Sequence, residues 1–409
     1  MSAPVLTRRG GVYGELAAMP GMVRVAVPGV VGRLVPAMVG LAVLLLVRNA
    51  AGGFAAGGLA TGAFGLGGAV AAPFAGRAVD VFGARRALPV IAVAFSAACL
   101  LLLLAAHARA SAAVLVVVSI PVGLLVPPIS PFLRTLWLRV TDEPRLQHAG
   151  TSLEAALVEV AFLIGPVLAG TLATSVNPSA ALLAVVAAAL LGSAGVASAP
   201  VVRRVAASRQ AHAPSGAPTP QAAIGVLLAV IAFATLGFGG IDVAVPAAAA
   251  RAGHPGLTGP LLALWALGSL MAAVLTGRRH DDRPLGGRVT RVVLTLAGCT
   301  VLLPLAPDLA VLGIGLVLAG LGVAPFFVVI YRLAGELSPA GRLTQVSTTM
   351  SSAIFAGSAV GSALAGQLVS HLNVHAALAL APLSIGLAAV ASLPLQRLVA
   401  TRPTATNAR

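Results

Sequence analysis

The chain has 409 residues, of which 58% are hydrophobic and only 9% are charged, and its formal net charge is +15. A soluble domain carries about 25% charged residues, so this composition excludes a soluble protein and predicts a polytopic membrane protein. All 26 basic residues are arginine, which excludes a Walker A nucleotide loop and a lysine Schiff base. The arginines lie in short segments beside apolar runs, a distribution typical of membrane topology and not of nucleic-acid binding.

The sequence predicts an all-α integral membrane fold with twelve spans. Each span is a run of about 20 mainly apolar residues, which is long enough to cross about 30 Å of hydrocarbon as a helix. The runs lie at residues 28–47, 54–74, 88–106, 111–134, 149–174, 178–199, 222–246, 257–276, 289–306, 309–331, 343–369 and 374–395.

The arginines set the expected orientation. If both termini are cytoplasmic, only Arg48, Arg109 and Arg251 fall in connections on the opposite side, while Arg33 and Arg134 lie within spans. This bias follows the positive-inside rule. We therefore expect a multi-pass protein of a cytoplasmic membrane, and the composition, rich in alanine, glycine and arginine, favours a bacterial one.

One long polar segment divides the chain. Residues 200–221 are rich in Ala, Ser, Pro and Gly, a composition that favours a flexible linker. On the orientation above, this linker is cytoplasmic. It separates two bundles of six spans, at 1–199 and 222–409.

The two bundles resemble each other in sequence. Phe64–Arg77 aligns with Trp265–Arg278 at a constant offset, and a shorter match relates Gly123–Pro128 to Gly320–Pro325. Internal repeats of this kind occur in many secondary transporters, whose binding sites lie near the membrane midplane between the repeats.

A compact charged segment separates spans two and three. It contains Gly76, Asp80, Gly83, Arg85 and Arg86. Glycines allow helix ends to approach and turn tightly, the aspartate can meet the positive end of a helix, and the arginines can pair with carboxylates or anionic lipid. These residues alone are also explained by a simple topology anchor.

The spacing of these five residues resembles the Gly-x-x-x-Asp-x-x-Gly-x-Arg-Arg signature of the major facilitator superfamily, in the connection where that family carries it. The resemblance extends to the span number, the linker and the duplicated halves. It implies two pseudo-symmetric six-helix bundles, transport by alternating access, and a gating role for the segment in the outward-open state. A second copy at Gly277–Arg288 has extra residues that interrupt the spacing.

A glycine- and proline-containing fragment in span five narrows the resemblance. Gly165–Gly170 resembles part of a motif of drug/proton antiporters in that superfamily, although the upstream glycines of the motif are missing. A proline kink with small residues for helix packing explains the same fragment.

Ionisable residues within spans are costly and are therefore candidates for function. Glu159 lies near the midplane of span five, where it is either a proton carrier or a structural carboxyl group. Glu154 projects about 140° away on the same helix, and we expect it to pair with Arg33 or Arg134, in a structural or a coupling role.

A second candidate pair lies near the outer ends of spans one and seven. Arg48 and Asp242 fall on the same side of the predicted topology. We expect them to form an outer latch when the protein faces inward, or to be two separate solvated charges.

The sequence favours proton-coupled efflux of a small amphipathic molecule, with uptake of a nutrient or metabolite as the alternative. The expected partners are the small-molecule substrate, protons and membrane lipid, and the expected state is a monomer. No cofactor or metal is expected. An enzyme is disfavoured because no zinc motif is present and the histidines lie mainly in connections or near span ends.

Overall fold

The protein is almost entirely helical in the computed structural model, which describes residues 11–19, 21–141, 143–202, 221–276, 285–338 and 343–400. Fifteen α-helices occupy these ranges: α1 (Gly11–Ala18), α2 (Met22–Ala51), α3 (Phe54–Phe82), α4 (Ala84–His107), α5 (Ala112–Leu124), α6 (Ile129–Val140), α7 (Pro144–Ser175), α8 (Pro178–Ser198), α9 (Gln221–Arg251), α10 (Thr258–Thr276), α11 (Leu285–Thr300), α12 (Leu309–Leu321), α13 (Val323–Leu337), α14 (Leu343–His371) and α15 (Val374–Ala400). Short 3-10 helices follow α9 and α11.

The prediction of twelve spans is confirmed. Within the described ranges, twelve helices or helix pairs are long and apolar enough to cross a membrane. Two spans are broken near their middle, α5 from α6 and α12 from α13, and equivalent positions of the two halves are broken in this way. Most of the linker, residues 203–220, lies outside the described residues.

Several helices extend beyond the predicted spans. The expected run at 54–74 continues as helix to Phe82, and the run at 149–174 begins five residues earlier, at Pro144. Hydropathy detects only the part of a helix that lies in hydrocarbon, while backbone hydrogen bonds continue the helix into the polar zone. The helix α1 was not predicted. It packs on α7 and buries Leu16.

The charged segment between α3 and α4 is helical apart from one residue, which corrects the expectation of a longer connection. Gly76 lies inside α3, and a Cβ atom there would meet nothing within 4 Å, so no other helix lies close to Gly76 in this conformation. Gly83 is the turn residue, with φ of 78°. That left-handed conformation favours glycine.

Glycine contacts show that the two halves repeat the same packing. In the first half, Gly123 packs on the carbonyl group of Phe64, and Gly67 packs on that of Ile120. In the second half, the equivalent glycine Gly320 packs on the carbonyl group of Trp265, and Gly268 packs on that of Val317. The alignment predicted from sequence for these segments is therefore present in three dimensions.

The halves meet through two interfaces, α3 with α14 and α7 with α10. We call the end of the bundle where α2 begins and α15 ends the terminal side, and the opposite end the far side. Close glycine contacts lie towards the far side. A Cβ atom on Gly58 would lie 2.6 Å from the carbonyl oxygen of Ser362, and one on Gly170 would lie 2.9 Å from the amide nitrogen of Gly259.

The terminal side is more open. The half-helices α6 and α13 lie on that side, one in each half, and they are not among the described helix pairs that pack closely. The structure therefore has its two halves joined towards the far side and separated towards the terminal side.

Candidate functional site

The first ionisable cluster is a buried ion pair inside the first half. Nε of Arg33 donates to Oε1 of Glu154 at 3.0 Å, and its Nη2 donates to Oε2. Arg33 is 3% exposed and Glu154 is fully buried. Of the two arginines considered from sequence, Arg33 is therefore the partner, while Arg134 lies exposed on α6.

Neighbouring residues pack closely around the guanidinium group of Arg33. A Cβ atom on Gly29 would lie 2.8 Å from Nη1 of Arg33, so a larger residue at position 29 would displace the arginine. Nη1 is buried and has no hydrogen-bond partner among the described residues. Such a pair is costly to break, because either charge left alone in an apolar interior is strongly destabilised.

Glu159 faces the other half of the protein. It lies on the α7 surface that also carries Pro166 and Gly170, since these positions are about two and three helical turns away. Both of those residues contact Gly259 of α10. Glu159 is half-buried, and the buried Ser269 of α10 lies near it across the interface.

The Gly165–Gly170 fragment takes part in both kinds of contact. A Cβ atom on Gly165 would lie 2.6 Å from that of Ala37 in α2, within the same half. Gly170 instead approaches Gly259 across the two halves. The fragment therefore serves close packing, and Glu159 lies just to the terminal side of the place where α7 and α10 meet.

Arg134 and Tyr331 lie on the terminal-side half-helices α6 and α13, one in each half. They occupy equivalent positions of α6 and α13 in the duplicated sequence. Both side chains are exposed. Because α6 and α13 do not pack closely, these side chains border the space that opens towards the terminal side.

A cluster of aromatic rings includes Tyr331 and connects α9, α10 and α13. Phe238 packs edge-on against Trp265, with ring centroids 5.4 Å apart, and Phe327 stacks on Tyr331 at 6.1 Å. Phe326 packs edge-on against both Phe238 and Phe327 and is fully buried. The arrangement offers partly exposed faces of Trp265, Phe327 and Tyr331 to an apolar ligand.

The predicted outer pair is not formed in this conformation. Arg48 and Asp242 make no ion pair within the described residues. The Arg48 guanidinium group lies over the ring of Phe54, 4.3 Å from its centroid. This cation–π contact stabilises the charge of Arg48 beside Phe54, and Arg48 does not extend to Asp242.

The residues of the signature segment lie at the terminal side. Arg85 and Arg86 are exposed, and neither forms an ion pair with a described residue. Asp80 lies in the last turns of α3, and its side chain is outside the described part. Of the second copy, Gly277 to Pro284 also fall outside it, and Arg288 lies in the first turn of α11.

Two features of the site were missed from sequence. Ser269 aligns with Gly68 in the duplicated segments, so the alignment itself marked it as a polar replacement of a glycine. The aromatic cluster was not predicted, because Tyr331 is distant in sequence from Phe238 and Trp265. No cluster of possible metal ligands occurs in the part of the chain that the structure describes.

Comparison with known proteins gives a family and a fold. A sequence profile described as Major Facilitator Superfamily matches residues 30–308. A search of curated protein sequences gave no significant match. Among solved structures, the chain is similar to the human organic anion transporter MFSD10 (TETRAN), with 18% identity, a TM-score of 0.62, and coverage of 90% of this chain and 99% of that one.

A peptide transporter, POT, gives a similar result in two mutant crystal structures. The complex with alafosfalin shows 16% identity and a TM-score of 0.65, covering 93% of this chain and 95% of that one. The complex with sulfate shows 16% identity and a TM-score of 0.66, covering 95% and 99%. At these identities the likeness concerns the fold.

Proposed function

Because the chain belongs to the Major Facilitator Superfamily, we propose that it exports a small amphipathic molecule across a cytoplasmic membrane in exchange for protons. The family and the fold make it a multi-pass membrane transporter. The direction of transport, the coupling ion and the class of substrate are the proposal.

The observation that carries the proposal is the position of Glu159. It is an ionisable residue within a span, half-buried, at the edge of an interface between two halves that are joined on one side only. A carboxyl group placed there can take up or release a proton and can respond to the relative position of the halves. Ionisable residues at such depth commonly mark proton pathways.

The orientation is part of the same proposal. The arginine distribution assigns the terminal side to the cytoplasm, so the structure represents a conformation open to the cytoplasm. The exposed arginines Arg85 and Arg86 then lie where anionic lipid headgroups or carboxylates can reach them.

The lining of the open space supports an amphipathic substrate. Aromatic faces of Trp265, Phe327 and Tyr331 give it apolar contacts, and the exposed guanidinium group of Arg134 gives it a polar one. Export, and not uptake, is favoured by the membrane carboxyl group and by the fragment at Gly165–Gly170.

The test is dye transport in cells and in proteoliposomes that carry the purified protein. Wild type is compared with Glu159→Gln for ethidium and carboxyfluorescein, with and without an imposed pH gradient. We expect the wild type to expel at least one dye faster when the gradient is present, and the variant to lose that acceleration. Equal, gradient-dependent transport by both proteins would refute the role of Glu159, and accumulation of dye in the cells would indicate uptake.

A further inference from the structure

The two interfaces between the halves differ at one equivalent position. The contacts of Gly58 with Gly366 and of Gly259 with Gly170 correspond to each other in the duplicated chain, and so do those of Gly361 and Gly165 within their own halves. In this register, the counterpart of Glu159 in the second half is Phe355, and the counterpart of Ser269 in the first half is Gly68.

The counterparts are themselves in contact. The ring of Phe355 packs against Gly68, with a Cβ atom on that glycine lying 3.0 Å from the ring. The α3–α14 interface is therefore closed at this level by an aromatic ring on a glycine. The α7–α10 interface has a carboxyl group beside a serine at the same level. In the same register, the counterpart of Glu154 is Met350.

Ser269 has the properties of a residue placed for Glu159. It is 4% exposed, and its buried hydroxyl group has no hydrogen-bond partner of regular geometry among the described residues, Glu159 included. Most serine and threonine hydroxyls in these helices bond to a carbonyl group one turn earlier, as Ser96 and Ser119 do. Ser269 instead leaves its hydroxyl group available to the carboxyl group of the other half.

No described charged group on the helices that pack on α7 forms an ion pair with Glu159. The helices α8 and α10 contain no ionisable residue within their bounds. The charged groups of the remaining neighbours are engaged or directed elsewhere. Arg33 of α2 is paired with Glu154, and Arg48 of α2 lies over Phe54. Arg24 of α2 and Arg134 of α6 are exposed, and the Arg139 side chain of α6 is outside the described part. Glu15 of α1 lies 3.7 Å from Arg145, and His254 is at the far end of the bundle, next to the 3-10 helix.

We propose that Ser269 is a positioning residue that ties proton release from Glu159 to the spacing of α7 and α10, so that one of the two interfaces between the halves is sensitive to protons and the other is not. This rests on the proposed function only in taking Glu159 as the proton-binding group. The Ser269 hydroxyl donates to the ionised carboxylate and stabilises it while the helices keep this spacing. By linkage, loss of the proton must in turn stabilise the spacing.

The test measures conformation directly and needs no substrate. Spin labels at Val176 and Leu257, both exposed at the far end of α7 and α10, report the far-side distance in nanodiscs as the pH is varied, after replacement of Cys99 and Cys299. In the wild-type background we expect the short-distance population to grow with pH through a single midpoint. Ser269→Ala should move that midpoint upward by about one pH unit, since it removes a hydrogen bond to a charged group, and Ser269→Thr should restore it.

The chain offers a matched control at the other interface. The hydroxyl group of Ser352 on α14 donates to the carbonyl oxygen of Ala69 on α3 at 2.8 Å, so Ser352→Ala also removes a serine hydrogen bond between the halves. It should change the populations without moving the pH midpoint. An unchanged midpoint in Ser269→Ala, together with loss of the pH response in Glu159→Gln, would overturn the role of Ser269 and leave the proposed function standing. A full pH response in Glu159→Gln would overturn both.

Discussion

Removing Glu154 while keeping Arg33 should destabilise the first half severely. The guanidinium group is 3% exposed, and both of its described hydrogen bonds go to this one carboxylate. Nη1 already lacks a partner, so Glu154→Met would leave a buried charge with no described hydrogen bond. Breaking a buried pair from one side costs roughly 3–5 kcal/mol.

The second half of the protein supplies the compensating change. Met350, the counterpart of Glu154, is fully buried in an apolar cluster, so the fold accepts a thioether at this place. The double variant Arg33→Leu with Glu154→Met removes both charges and should recover most of the lost stability, because replacing a whole buried pair by apolar residues is often neutral.

Thermal unfolding in detergent measures the difference. For a unit the size of one half, 3 kcal/mol corresponds to a fall in Tm of about 6–12 °C. The single variant should show this fall and the double variant should not. The reasoning is wrong if the single variant is as stable as wild type, or if the double variant is as unstable as the single one. Transport by the stable double variant would assign the pair a structural role and not one in coupling.

Other substitutions test the remaining parts of the account. Gly170→Val should shift the halves away from the far-side-closed conformation, because even a Cβ atom there would lie 2.9 Å from Gly259, whereas Gly40→Ala should leave the distances between spin labels unchanged, since nothing lies within 4 Å of that position. Asp80→Asn should reduce dye efflux sharply at normal membrane abundance, and wild-type efflux would contradict a gating role of the signature segment. The charge reversal of Arg48 and Asp242 together should not rescue the single reversals, since Arg48 contacts Phe54 and not Asp242; rescue of dye efflux would show that the pair forms in another conformation.

The overall fold could be predicted because a lipid environment limits the choices. The number of spans and their division into two bundles follow from hydropathy and from one linker, and the structure contains the twelve spans. The ends of α3 and α7 could not be predicted, since hydropathy ends where the hydrocarbon ends and the helices do not. The one-residue turn at Gly83 lies beyond the apolar run and could not be predicted from hydropathy either.

Side-chain partners were predictable only where the alternatives were few. Glu154 had two candidate arginines, and depth in the membrane limited the choice to them before the structure identified Arg33. The surroundings of Glu159 were not predictable, because they depend on the rotation of α10 and on the register between α7 and α14, and hydropathy determines neither. A single residue changes the direction of a helical side chain by about 100°, so an alignment wrong by one residue would assign Glu159 the wrong counterpart.

The central claim is that the two halves rock about their shared interfaces so that one side closes as the other opens. Two distances test it most directly: the far-side pair Val176 and Leu257, and a terminal-side pair at Phe82 and Gly335, all exposed positions. Both are measured by spin labelling in nanodiscs over a range of pH. The account predicts opposite changes, with the terminal-side distance shortening as the far-side distance lengthens. Two distances that stay fixed, or that lengthen together, would contradict it.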